Sequence, residues 1–229
     1  MFLHALALLS PVLPQDITQA GFELTPFAVP TPPAEEIITL PDGTMVVNNG
    51  TGIRLSFPGG AQAANFGNFT PVGEAGAHAI DATGRYVVSG ERIFGELRLA
   101  DLQTGESVEI GKLPGNYDAV VVNPNRVIVS STGCDGTCGT TIVRIDIDTN
   151  EIKALAHFDG EPGTLELEPN GDLLYATRDD LSGNASPVHR FTADQLEIGA
   201  PVFFEKGGYL AVEIESVPAF DEWVVETEL

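Results

Sequence analysis

One pattern recurs along the chain and restricts its fold more than any other feature. Four segments read as an apolar strand, a tight polar turn and a second apolar strand: Ile37–Asn48, His78–Ser89, Ala119–Ser130 and Leu165–Ala176. Their turn positions, Gly43, Gly84, Asn125 and Gly171, stand 41, 41 and 46 residues apart. A tight hairpin imposes a positive φ at that position. Glycine adopts it freely, and Asn125 is expected to adopt it as the best non-glycine substitute. Pro41, Pro124 and Pro169 pre-set φ at the turn entry. Each segment is therefore read as a β-hairpin.

A second pair of strands follows each hairpin. Gly95–Glu106 runs into Ser107–Gly111, and Thr141–Glu151 runs into Ile152–Phe158. Both alternate apolar and polar residues with period two and turn at Thr-Gly or Thr-Asn. Val188–Ile198 is a looser version, and Gly52–Phe57 takes the same place in the first repeat. Two hairpins make a four-stranded sheet that cannot bury both faces alone, so such sheets must stack around an axis. The predicted fold is all-β, a β-propeller of four-stranded antiparallel blades. A degenerate fifth copy at Leu210–Glu226, completed by the strand-like Gly21–Phe27, gives about five blades. The alternative is an incomplete larger propeller, whose open ends would expose apolar faces and strand edges. With 25 Gly and 16 Pro there is little room for helices, beyond the apolar N-terminus and a turn near Thr192–Leu196.

The pattern apolar-x-Pro-Asp/Asn-Gly-x-apolar-apolar-apolar-Ser/Asn, followed by a strand ending Asp-x-x-Thr-Gly-Glu, resembles the repeats of NHL and YVTN-type β-propellers. The resemblance covers most of residues 35–226. It implies the fold and says little of function, because such propellers host ligand binding, scaffolding and several enzyme activities.

Residues 1–15 form an apolar stretch with the length of a signal-peptide core, too short to span a bilayer. They are read as a signal peptide, which places the protein outside the cell or in the periplasm. The first basic residue is Arg54 and no clean A-x-A site follows, so a mis-started reading frame is the competing account. Residues 16–34 are an N-terminal extension able to close the ring, and 35–229 are the propeller domain. No other segment is apolar enough to be transmembrane. With 33 acidic and 11 basic residues the net charge is −22, which repels a phosphate backbone and excludes nucleic-acid binding. Cys134 and Cys138 lie in one loop. Two thiols do not make a structural zinc site, so a local disulfide is expected in an exported chain, with a redox pair as the alternative.

No catalytic or cofactor-binding residue is identified. There is no G-x-S-x-G elbow, and His4, His78, His157 and His189 are spread without triad-like spacing. The residues just ahead of the repeated turns, Glu36, His78, Asp118 and Thr164, are expected on the innermost strands facing a central channel. Glu36, His78 and Asp118 are thus candidate ligands for a divalent cation such as Ca²⁺, the other reading being solvated polar groups at strand ends. Asp146–Glu151 is similar to the opening of a calcium loop but lacks its Gly and distal Glu, and its alternation suits a strand. Tyr86 and Tyr175 occupy repeat positions and are expected to pack between blades. The leading functional expectation is an exported, acidic module that binds a protein or small-molecule ligand at one propeller face without catalysis. The alternatives are a metal-dependent hydrolase resembling gluconolactonase-type propellers, which hold a divalent ion in the channel, and a propeller piece without independent activity.

Overall fold

A computed structural model describes residues 36–56, 62–132, 139–158, 161–178, 188–198, 200–204 and 210–212. Residues 1–15, read above as a signal peptide, residues 16–34, read as an extension closing the ring, Cys134, Cys138 and the part of the fifth copy that holds Trp223 lie outside the described residues. Among the described residues there is no α-helix, and no helix is long and apolar enough to cross a membrane.

The strands form successive antiparallel sheets in chain order. Blade 1 holds β1 (Glu36–Thr39), β2 (Met45–Asn48), β3 (Gly52–Ser56) and β4 (Gln62–Asn68). Blade 2 holds β5 (Ala75–Ile80), β6 (Tyr86–Glu91), β7 (Glu96–Asp101) and β8 (Glu106–Lys112). Blade 3 is built on β9 (Asn116–Asn123), β10 (Arg126–Ser131), β11 (Thr140–Asp146) and β12 (Glu151–Phe158). Blade 4 contains β13 (Glu161–Leu167), β14 (Leu173–Arg178) and β15 (Val188–Phe191). The first strands β1, β5, β9 and β13 neighbour one another in that order, so the blades stack face to face with their first strands along one side. This is the propeller arrangement that the repeats imply.

Turn chemistry sets the hairpins. Gly43, Gly84 and Gly171 have φ of 84°, 74° and 90°. The second hairpins turn at Gly105 (φ 78°) and Asn150 (φ 54°), the Thr-Gly and Thr-Asn positions. Asn125 departs from expectation, since it is not among the residues with positive φ. In blade 3 the strands run further, Asn123 pairs directly with Arg126, and only Pro124 and Asn125 remain to make the turn. Proline fixes that turn with negative φ, and the Asn123 side chain caps it by accepting from the Asn125 amide at 2.9 Å.

Period-two alternation explains how blades with two buried faces are filled. In blade 3, Ala119, Val121, Val127, Val129, Val143 and Ile145 pack toward blade 2, against Val88, Leu97 and Leu99. The residues between them, Val120, Ile128 and Ile142, point the other way, to Leu165, Leu173, Tyr175 and Phe191 of blade 4. Val87 and Ala100 of blade 2 likewise meet Val46, Ile53 and Phe66 of blade 1. A strand covered on both sides has no solvent face, so its sequence reads as a continuous apolar run. Tyr175 is fully buried in the seam between blades 3 and 4, and Tyr86 packs against the seam between blades 2 and 3, as their repeat positions imply.

The C-terminal part of the described chain departs from the repeat. Within Val188–Ile198 only Val188–Phe191 is a strand, and Gln195–Glu197 forms a short 3₁₀ helix, η1, where a helical turn was expected. The chain then returns to the outer edge of blade 3. There β16 (Ala200–Phe204) pairs with β12 and β17 (Leu210–Val212) pairs with β16. Leu210–Val212, which reads in sequence as the opening of a fifth hairpin, is thus an outermost strand of the third sheet.

Candidate functional site

The four repeat positions fall in equivalent register. Glu36 pairs with Asn48, His78 with Ser89, Asp118 with Ser130 and Thr164 with Ala176, each across the first two strands of its blade. The His78 and Asp118 side chains serve the seams between blades, whereas Thr164, like Glu36, is exposed. His78 Nδ1 lies 2.6 Å from Ser89 Oγ, and Nε2 lies 3.3 Å from the Val46 carbonyl in blade 1. A carbonyl only accepts, so Nε2 carries the proton and Nδ1 accepts from the hydroxyl. Asp118 Oδ1 accepts from its neighbour Ala119 N at 2.8 Å, and Oδ2 accepts from Leu165 N of blade 4, also at 2.8 Å. Ser130 Oγ donates to the Gly163 carbonyl of blade 4 at 3.2 Å. Glu36 opens β1 at an exposed position. Among the described residues, no three His, Cys, Asp or Glu side chains form a group that could hold a metal ion.

The contact between Ser89 and His78 has the spacing of a nucleophile and its base. Ser89 is fully buried, however, and the far ring nitrogen meets a carbonyl rather than an orienting acid. The pair therefore ties β5 to β6 and blade 2 to blade 1. Burial pushes the His78 pKa down to about 4 from 6.5, against the raising effect of its backbone partners. Because the folded value lies below the unfolded one, the stability contributed by the neutral ring is complete above pH 6.5 and is lost as pH falls to about 4. The expected loss is on the order of 3 kcal/mol. Urea unfolding of the wild type and of His78→Gln across this window checks it, since the variant should lose markedly less stability on acidification. Burial also raises the Asp118 pKa, opposed by its two amide donors and reinforced by the charge of Glu166.

Asn116, two residues before Asp118, was not anticipated. Its buried amide joins blade 3 to blade 2, with Oδ1 accepting from Ala77 N at 2.8 Å and Nδ2 donating to the carbonyls of Glu91 at 2.7 Å and Leu113 at 2.9 Å. Two glycines make room for it. A Cβ on Gly76 or on Gly90 would lie 2.0 Å from Asn116 Oδ1. Glycine in the interior of a strand marks a close approach, and that was the available signal in the sequence.

At the β9–β10 and β11–β12 turns, Asn123, Asn125, Asp148, Thr149 and Glu151 border an open polar groove of about 430 Å³. Arg126 and Asp146 also line it. Arg126 Nε donates to Asp146 Oδ1 at 2.8 Å, repeating the Arg85–Asp101 fork of blade 2, where Nε donates to Oδ1 at 3.0 Å. Arg144, almost fully buried, donates to Asp146 Oδ2 at 2.9 Å and to the Leu196 carbonyl at 2.5 Å, while Arg126 also pairs with Glu197. Burial alone would raise the Asp146 pKa, and the two guanidinium groups outweigh it and hold the carboxyl below its usual range. The carboxylate that opens the calcium-like segment is therefore already neutralised by its arginines.

These stacked sheets define the chain as a β-propeller, and comparison with solved structures agrees. The chain is similar to hydrazine synthase of Kuenenia stuttgartiensis, with TM-score 0.56 and 18% identity over 77% of this chain and 50% of that one. It is similar to a chain of the nidogen/laminin complex, with TM-score 0.52 and 15% identity over 77% and 67%. A third similar structure is the C-terminal WD40 domain of Sif2, with TM-score 0.51 and 16% identity over 69% and 43%. The chain thus spans half the length of the hydrazine synthase chain it matches. No protein-family model matches it, and no curated protein matches it in sequence. At such identities the likeness shows the fold and does not distinguish NHL from YVTN-type repeats.

Proposed function

We propose that the protein is a non-catalytic interaction module, exported on the 1–15 leader, whose partner meets the loops at one end of the blades. One observation carries this reading. The polar side chains on the inner strands that would have to perform chemistry, His78, Ser89, Asp118 and Ser130, are committed to hydrogen bonds within and between blades. Using them on a substrate would break the seams that hold the blades together. Two further facts support it. A nidogen/laminin complex is among the similar structures, and a net charge of −22 favours solubility and charge-guided association.

Thermal unfolding with calcium, zinc and chelator tests the proposal. The expected result is the same melting temperature in all conditions, because no ion binds the native state preferentially. Stabilisation by calcium that disappears in Asp118→Ala would replace this reading with the metal-dependent hydrolase that resembles gluconolactonase-type propellers.

A further inference from the structure

We infer that the β6–β7 tip of blade 2 and the adjoining loop at Val72 form a docking surface for a basic, apolar peptide segment of a partner protein. The inference rests on the interaction-module reading and gives it a place and a partner chemistry. Among the described residues, the large exposed apolar side chains include Val72, Ile93 and Phe94, at 58%, 53% and 48% exposure. Ile93 and Phe94 sit at one end of blade 2, and Val72 lies in the connection from blade 1 that enters β5. Ala75 pairs with Glu91, and the Arg92 amide donates to the Glu74 carbonyl at 2.8 Å, which brings the 70–74 loop beside the tip.

The tip is held rigid from inside. Glu91 is fully buried, with Oε1 accepting from Ile93 N at 2.7 Å and Oε2 from Phe94 N at 2.6 Å and Gly95 N at 3.1 Å. Gly73 closes over this carboxylate, and a Cβ there would lie 1.7 Å from Oε1. On the other side the Gly115 amide donates to the Arg92 carbonyl at 2.7 Å. Ile93 and Phe94 are thus displayed on a fixed backbone, so a partner would order little on binding them. Nothing in the turn itself requires apolar residues. The corresponding tip of blade 1 is Asn49-Gly50-Thr51, with Asn49 turned inward to accept from the Thr51 amide at 3.1 Å.

Charge selects the occupant. Exposed Ile and Phe alone would also suit a lipid surface, but a chain of net charge −22 is repelled by anionic headgroups and by a second copy of itself. The exposed Glu74 borders the tip, and Arg92, also exposed, reaches over the Tyr117 ring of blade 3, 5.9 Å from its centroid. These two charges offset, so the acidic field of the whole chain selects the occupant. Apolar residues flanked by Lys or Arg complement this surface.

Panning a random peptide library on the immobilised full chain, in parallel with Ile93→Ser/Phe94→Ser, tests the assignment. Both side chains are exposed, so the double variant should keep the wild-type melting temperature. The expected result is enrichment of basic, apolar peptides whose synthetic versions bind the double variant at least about tenfold more weakly. Their binding to the wild type should weaken with added salt. Failure to enrich any peptide, or equal binding to both proteins, overturns the surface. Two other results also overturn it: Phe94-dependent flotation with phosphatidylserine vesicles, which assigns the tip to membranes, and a sedimenting dimer that the variant abolishes. Equal binding leaves the interaction-module reading standing, whereas calcium-dependent stabilisation overturns that reading by a separate route.

Discussion

Asn116→Ala is expected to destabilise the protein by roughly 2–6 kcal/mol, from one buried N–H and one buried carbonyl losing this partner at about 1–3 kcal/mol each. The groups concerned are the Ala77 amide and the Glu91 carbonyl of blade 2, while the Leu113 carbonyl keeps the backbone amide of residue 116 at 3.1 Å. Urea unfolding should show a lower midpoint with an unchanged slope. Asn116→Asp should do at least as much damage, because it places a carboxylate oxygen against two carbonyls. Gly90→Ala probes the same contact from the other side, since its Cβ would meet Asn116 Oδ1 at 2.0 Å. Combined with Asn116→Ala, the added methyl enters vacated space, so the double variant should be more stable than the sum of the single losses implies. Strict additivity would show that the amide does not occupy this seat.

Arg144→Met should cost about 3–5 kcal/mol, the range for breaking a buried ion pair from one side. The methionine keeps much of the side-chain volume, so the loss reports the guanidinium. Asp146 would retain only Arg126, and the Leu196 carbonyl would lose its donor. Because that carbonyl belongs to η1, the effect should also be local. Hydrogen exchange should quicken at Leu196 and Ile198, whose amides donate to the Thr192 and Gln195 carbonyls, before it quickens in β10 or β11. Uniform acceleration across blade 3 would mean that Arg144 supports the sheet generally and does not fasten the turn to it.

The parts of the fold that were legible are those made by neighbours in sequence. Gly43, Gly84, Gly105, Asn150 and Gly171 could be read as turns because a residue with positive φ leaves a mark in composition wherever it stands. Asn125 misled for a related reason. The same residue type serves a negative-φ proline turn when the strands extend further, and strand length follows from pairing rather than from the turn. Of the candidate ligands, the sequence correctly put Glu36, His78 and Asp118 in equivalent register. It could not say that His78 would face the Val46 carbonyl or that Asp118 would meet the Leu165 amide. Each of those partners comes from another blade and is a backbone group, which every residue possesses and no sequence pattern advertises.

The sequence alone determined that hairpins would form, where they would turn, and that sheets with two apolar faces must stack. Hydrophobic period and turn chemistry are local and repeated, so each copy reinforces the reading of the next. Tertiary structure decided how the seams are tied, through Asn116 in the space left by Gly76 and Gly90. It also decided that β16 and β17 extend blade 3, where the sequence pattern had suggested a new one. Those outcomes hang on single contacts between residues far apart in the chain, and an interaction made once has no period to betray it.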